Sequence, residues 1–119
     1  MQYLLAIFFP FVCLLVEKIL PYPYLIEEIS KYFIVKKTDS TKEVLLYGLL
    51  FSLSESIFYV MNPTYLQNPI LFINRVILVT PMHMATITIT WFFKRKNIAP
   101  IGLIASVFVH FVFNSLSMI

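Results

Sequence analysis

Charge is scarce in this sequence. Only 13% of its residues are Asp, Glu, Lys or Arg, about half the share of a typical soluble domain. A chain this poor in charge does not cover a water-facing surface, and the balance excludes an ordinary soluble globule. Cysteine is nearly absent as well. Cys13 stands alone, so no internal disulfide forms and no cysteine-rich metal site is available. The basic residues offer no face with interleaved aromatics for phosphates, which argues against a nucleic-acid partner. They fall instead in two short clusters beside apolar runs: Lys36, Lys37 and Lys42, then Lys94, Arg95 and Lys96. Such clusters set the orientation of a membrane protein. The apolar N-terminus lacks a basic leader and a small-residue cleavage site, and Phe11-Val12 before Cys13 is no lipoprotein signal. It reads as a retained helix. No internal repeat or low-complexity stretch interrupts the chain.

What is present is apolar. Hydrophobic residues make up 60% of the 119 positions, and the mean hydropathy is +0.85. The expected fold is all-α: a polytopic membrane helical bundle of about four to five transmembrane helices, forming one membrane-embedded domain over residues 1–119. Five helices are predicted, over 2–20, 24–35, 43–61, 69–93 and 98–119. Pro21-Tyr22-Pro23, the polar stretch 36–42, Asn62-Pro63 and the basic turn 94–97 separate them. The second is too short to cross a bilayer alone, since twelve residues rise only about 18 Å. With both basic clusters on the cytoplasmic side, the third helix runs outward, the fourth inward, and the fifth outward again. The N-terminus is inside if the second helix spans and outside if it is re-entrant.

Against this background the polar residues inside the apolar stretches stand out: Glu27, Glu28, Lys31, Glu55, Arg75, His83, His110 and Asn114. An ionised group at the bilayer centre costs roughly 2.5–3.5 kcal/mol, so Glu27, Glu28, Glu55 and Arg75 together would cost on the order of 10 kcal/mol. That rivals the stability of a whole domain. Such groups face the bundle interior and mark a functional site by default.

On the second helix, Glu27 and Lys31 are four apart and can pair, while Glu28 lies about 100° round and can point elsewhere. One carboxylate can thus be held by the lysine while the other faces a cavity as a general base. The alternative is an interfacial amphipathic helix with all three in the headgroups. On the third helix, Gly48, Ser52 and Ser56 form a small-residue stripe that lets a neighbour approach closely. Glu55 lies beside that stripe with Tyr59 one turn on; a packing role is as natural for it as a catalytic one. On the fourth helix, His83 follows Pro81, which removes a backbone donor and tends to kink the helix. Arg75 can pair with Glu55 or lie near the outer surface. Met82 and Met84 each point about 100° away from His83, which argues against a soft-metal site. On the fifth helix, His110 and Asn114 share a face and can donate to one developing oxyanion, or simply pair between helices.

The set is more specific than its parts. Adjacent glutamates, a histidine beside a proline and a His-x-x-x-Asn pair supply a base, its partner and an oxyanion hole, which are the parts needed to hydrolyse an amide.

The order of these motifs resembles the PrsW-type proteases and the wider CAAX-protease and bacteriocin-processing (CPBP, or Abi) group of intramembrane proteases. The matching stretches are Glu27-Glu28-Ile-Ser-Lys31, Tyr47-Gly48 through Ser54-Glu55 and Tyr59, Arg75 through Pro81-Met82-His83, and His110-Phe-Val-Phe-Asn114, within a family-like core over about 24–118. Val79 stands where the wider group often has phenylalanine. The resemblance implies a helical bundle with a water-accessible cavity, a catalytic set of Glu27, Glu28, His83, His110 and Asn114, and support from Lys31, Glu55 and Arg75. In it a glutamate, Glu27 in the first instance, works with His83 to activate water, and His110 with Asn114 stabilises the oxyanion. No cofactor is expected under that mechanism. Under the older metalloprotease account, Glu27, Glu28, His83 and His110 would bind zinc. The resemblance also implies a multi-pass protein of a prokaryotic cytoplasmic membrane. Its substrate would be a membrane-anchored protein or peptide, such as an anti-sigma factor.

Two other classes fit the same residues. One is a non-catalytic membrane protein, such as a bacteriocin-immunity or membrane-binding partner. The other is a small transporter or proton relay, which intramembrane Glu and His also build, although no inverted repeat is visible.

Overall fold

The computed structural model describes residues 1–117. It is an all-α bundle of α1 (Gln2–Glu17), α2 (Pro23–Val35), α3 (Thr41–Val60), α4 (Pro63–Gln67), α5 (Pro69–Arg95) and α6 (Ala99–Ser117). Three of them, α3, α5 and α6, are long and apolar enough to cross a membrane. The first helix stops at Glu17, three residues short of the expected end, and the predicted linker 62–68 contains the extra short helix α4. The last two positions of the predicted fifth helix, 118 and 119, lie outside the described residues.

Proline and asparagine set the boundaries. Pro23, Pro63 and Pro69 each occupy the first turn of a helix, where the missing N–H costs nothing. Asn62 and Asn68 cap α4 and α5 by accepting from Thr64 N at 3.0 Å and Leu71 N at 3.4 Å. Asn97 closes α5 with a positive φ of 58°, a left-handed turn that asparagine tolerates better than most residues.

Helix α5 is the axis of the bundle, packed against both α3 and α6. Both glycines of the chain sit at these crossings. A Cβ on Gly48 would lie 2.9 Å from Met84 Cα and 2.9 Å from Ile87 Cγ2, and one on Gly102 only 2.5 Å from Phe93 Cβ. The small-residue stripe of α3 therefore faces α5, and Ser52 and Thr80 share a hydroxyl hydrogen bond of 2.8 Å there. Thr90 and Ser106 do the same between α5 and α6 at 2.8 Å. Without a strong hydrophobic drive between helices in lipid, this close packing and hydroxyl pairing is what holds them together. The outward faces are apolar instead, with Ile70, Ile104 and Phe108 largely exposed, as a lipid-facing surface requires.

The two basic clusters meet at one end of the bundle. Trp91 Nε1 donates to Thr38 O at 2.9 Å, and Lys94 Nζ lies 4.0 Å from Asp39 Oδ1. The start of α1 is at the same end, because Tyr3 stacks edge-on against Tyr47 with ring centroids 4.9 Å apart. The chain therefore runs away from the basic end along α1, back along α2, away along α3, back along α5 and away along α6. Helix α2 has only 13 residues, a rise of about 20 Å, and α1 has only 16. Their shortness leaves a notch at the end opposite the two basic clusters.

Candidate functional site

A cavity of about 200 Å³ fills that notch. Its lining comes from the end of α1 (Glu17), the start of α2 (Glu27), the last turns of α3 (Glu55, Tyr59), α5 (Arg75, Met82, His83) and α6 (His110, Asn114). Glu55 lies five residues before the end of α3, about 7 Å below it. Of the six acidic residues in the chain, only Asp39 and Glu43 sit with the two basic clusters. The other four gather around this cavity with both histidines.

Two carboxylate–imidazole pairs form its floor. His83 Nε2 is hydrogen-bonded to Glu55 Oε2. Arg75 donates to the other oxygen of Glu55 at 3.2 Å and lies over the Tyr59 ring, 3.5 Å from its centroid. His110 Nδ1 is 2.7 Å from Glu28 Oε1. The two imidazoles meet edge to face with centroids 5.5 Å apart. Glu28 is fully buried and also accepts from Lys31 Nζ at 2.6 Å, while Lys31 donates to Thr86 Oγ1 at 2.6 Å. A buried ammonium is satisfied by such acceptors and by the Phe51 ring, 5.4 Å away.

Glu27 is held less firmly than the other two buried acids. Its Oε2, like Glu28 Oε2, is buried without a hydrogen-bond partner among the described residues, but Glu28 is anchored through its Oε1 and Glu55 through both oxygens, whereas Glu27 has no such anchor. It stands 3.5 Å from His110 Nε2, and a carboxylate oxygen of Glu27 lies within 4.8 Å of ligand atoms on both Glu55 and His83. That spacing leaves one-water reach between a carboxylate and an imidazole, as general-base activation of water requires.

The geometry corrects two expectations. Lys31 does not pair with Glu27; it pairs with Glu28, at i,i+3. Lys31 reaches toward α5 to meet Thr86, and Glu28 is the carboxylate on that side, so Glu27 is left on the cavity wall. The zinc set expected from Glu27, Glu28, His83 and His110 is not the one brought together. Among the described residues, the group with metal-ligand spacing is Glu27, Glu55 and His83. Glu28 is not in that group; its Oε1 accepts from both Lys31 and His110. Three ligands of this type would suit an open zinc site, although Arg75 and His83 would then share the Glu55 carboxylate with a cation.

Arg75 is buried against Glu55 and does not reach the outer surface. Asn114 is exposed at the cavity mouth on the same face as His110. Met82 also lines the cavity, whereas Met84 packs against Gly48. Sequence reasoning missed Glu17 and Thr86. Glu17 resembles an ordinary helix end beside Lys18, and Thr86 an ordinary packing threonine. The reversal between α1 and α2 is the signal that places Glu17 near Glu27.

No family model, curated protein or solved structure matches this chain. Function is therefore carried by the site itself.

Proposed function

We propose that this protein is an intramembrane endopeptidase of the PrsW/CPBP type, hydrolysing peptide bonds of membrane-associated substrates. The observation that carries the reading is the unpartnered Glu27 oxygen on the cavity wall, facing two histidines that other carboxylates hold in place. Glu27, Glu55, His83 and His110 come from four different helices, so sequence proximity does not explain the cluster.

In this mechanism Glu27 removes a proton from a water ordered beside His83, and the hydroxide adds to the substrate carbonyl. The proton passes to His110 Nε2, 3.5 Å from Glu27 Oε2. His110 needs that proton: its Nδ1 is committed to Glu28, so Nε2 donates only when the ring is doubly protonated. The imidazolium and the Asn114 amide then stabilise the oxyanion. When the C–N bond breaks, the proton goes to the leaving nitrogen, giving a carboxylic acid and an amine. Glu28 is a positioning group that fixes the His110 ring, much as the aspartate does in a serine-protease triad. Glu55 does the same for His83.

A second mechanism is favoured by the Glu27, Glu55 and His83 group, whose ligand atoms lie within 4.8 Å of one another. If zinc sat there, it would polarise the water, and chelation would abolish cleavage. Metal analysis of the purified protein with a chelator titration separates the two.

The experiment for the peptidase reading compares membranes of cells carrying the wild-type protein or Glu27→Gln, by mass spectrometry of protein termini. New termini that appear only with the wild type support it. An identical set of termini from both would remove it in favour of a non-catalytic binding role.

A further inference from the structure

A second hollow lies at the opposite end of the bundle, away from every acid of the candidate site. It is a groove of about 410 Å³ between the start of α1 and the end of α2. Leu5 and Phe9, on one face of α1, form one wall; Phe33 and Tyr47 close the other side. Lys36 and Lys37, the residues that follow α2, stand at the groove and are exposed. Among the described residues neither has a carboxylate partner. Of the two acids at this end, Asp39 lies toward Lys94 at 4.0 Å, and Glu43 sits in the first turn of α3.

We propose that this groove binds one anionic phospholipid, with the phosphate on Lys36 and Lys37 and an acyl chain along Leu5, Phe9 and Phe33. Charge complementarity selects the occupant. Two free ammonium groups at the polar end of an apolar slot match a lipid that is negative at one end and hydrocarbon at the other. A zwitterionic lipid offers no net charge, and a free phosphate leaves the apolar walls unused. Basic pockets between helices at the cytoplasmic face recognise anionic headgroups in this way. Tyr3, exposed and packed on the buried Tyr47 ring, stands at the same level, and tyrosine is enriched at membrane interfaces. This proposal is independent of the peptidase reading.

The test uses the full chain in detergent with equal amounts of phosphatidylglycerol and phosphatidylcholine of matched acyl chains, and counts retained lipid by native mass spectrometry. The expected result is about tenfold enrichment of phosphatidylglycerol, lost in Lys36→Gln/Lys37→Gln. Lys42→Gln/Lys96→Gln, which removes the same charge at the same end, keeps the enrichment. Leu5→Trp fills the slot and loses the lipid although both lysines remain; if that variant does not fold, Phe33→Trp serves instead. Equal retention of both lipids overturns the proposal. So does equal loss in the two double variants, which would mean diffuse surface charge. Displacement of phosphatidylglycerol by millimolar inorganic phosphate also overturns it, since the acyl chain would then contribute nothing.

Discussion

Lys31 Nζ and Glu28 Oε1 are 2.6 Å apart, three residues apart on one helix, and both side chains are fully buried. Removing one partner strands the other in a low-dielectric interior. Lys31→Met should cost ~3–5 kcal/mol of stability, whereas Lys31→Met/Glu28→Gln should recover much of that loss. Thermal melting in detergent checks both. A single variant as stable as the double one would mean that the pair does not hold α2 in place. The double variant also removes the Glu28 carboxylate that fixes the His110 ring, so cleavage should not return with stability.

Glu27 is expected to separate function from folding. Its Oε2 has no hydrogen-bond partner among the described residues, so Glu27→Gln should change stability by ~1 kcal/mol or less. Loss of a general base should lower cleavage by about 10²–10⁴-fold. Parallel melting and cleavage measurements decide the matter, and an unfolded Gln variant would place Glu27 in the scaffold instead.

Glu55 joins Arg75 to His83. Arg75→Ala removes the guanidinium from both Glu55 and the Tyr59 ring and leaves the carboxylate paired only with an imidazole. A loss of ~3 kcal/mol is expected, with cleavage impaired although Arg75 is not required to contact the reacting water. Glu55→Gln should keep the fold and lower turnover, because the amide holds His83 less firmly. Turnover equal to wild type in Glu55→Gln would leave His83 without a need for its partner.

The α3–α5 crossing should resist enlargement. A Cβ at Gly48 meets the backbone of Met84 at 2.9 Å, and a backbone atom cannot rotate away. Gly48→Ala should lose ~1–3 kcal/mol through overpacking, partly offset by ~1 kcal/mol of helix propensity. Gly48→Leu should not fold. Melting temperatures of the two variants give the comparison.

The ends of the bundle make a topological prediction. In a Cys13→Ser background, cysteines placed at Lys37 and Lys96 should be labelled from the same side of the membrane, and one at Gln67 from the other. With the basic clusters inside, a membrane-impermeant maleimide added to intact cells should label only position 67. Labelling of 37 and 96 from opposite sides would contradict the antiparallel path traced here.

Much of this was legible beforehand. Low charge and long apolar runs required helices in lipid, since only helices satisfy every backbone group within one apolar segment. Pro23, Asn62 and Asn68 marked boundaries through local chemistry alone. The stripe from Gly48 to Ser56 announced a helix contact but not its partner, because a stripe carries no information about which neighbour fills it. Glu55 was ambiguous for a similar reason: a buried acid looks alike in sequence whether it packs or reacts.

The sequence by itself determined that few polar groups had to share an apolar environment, because isolating each of them in hydrocarbon would cost more than a small bundle can bear. It did not determine the pairing. Glu27 and Glu28 are neighbours in the chain, and either could reach a lysine one turn away. Tertiary structure alone decided between them: Thr86 on α5 draws Lys31 to the side of Glu28, His110 on α6 takes the same carboxylate, and Glu27 is left facing the cavity with Glu17. Those partners lie tens of residues away, and only the packing of helices brings them within hydrogen-bonding reach.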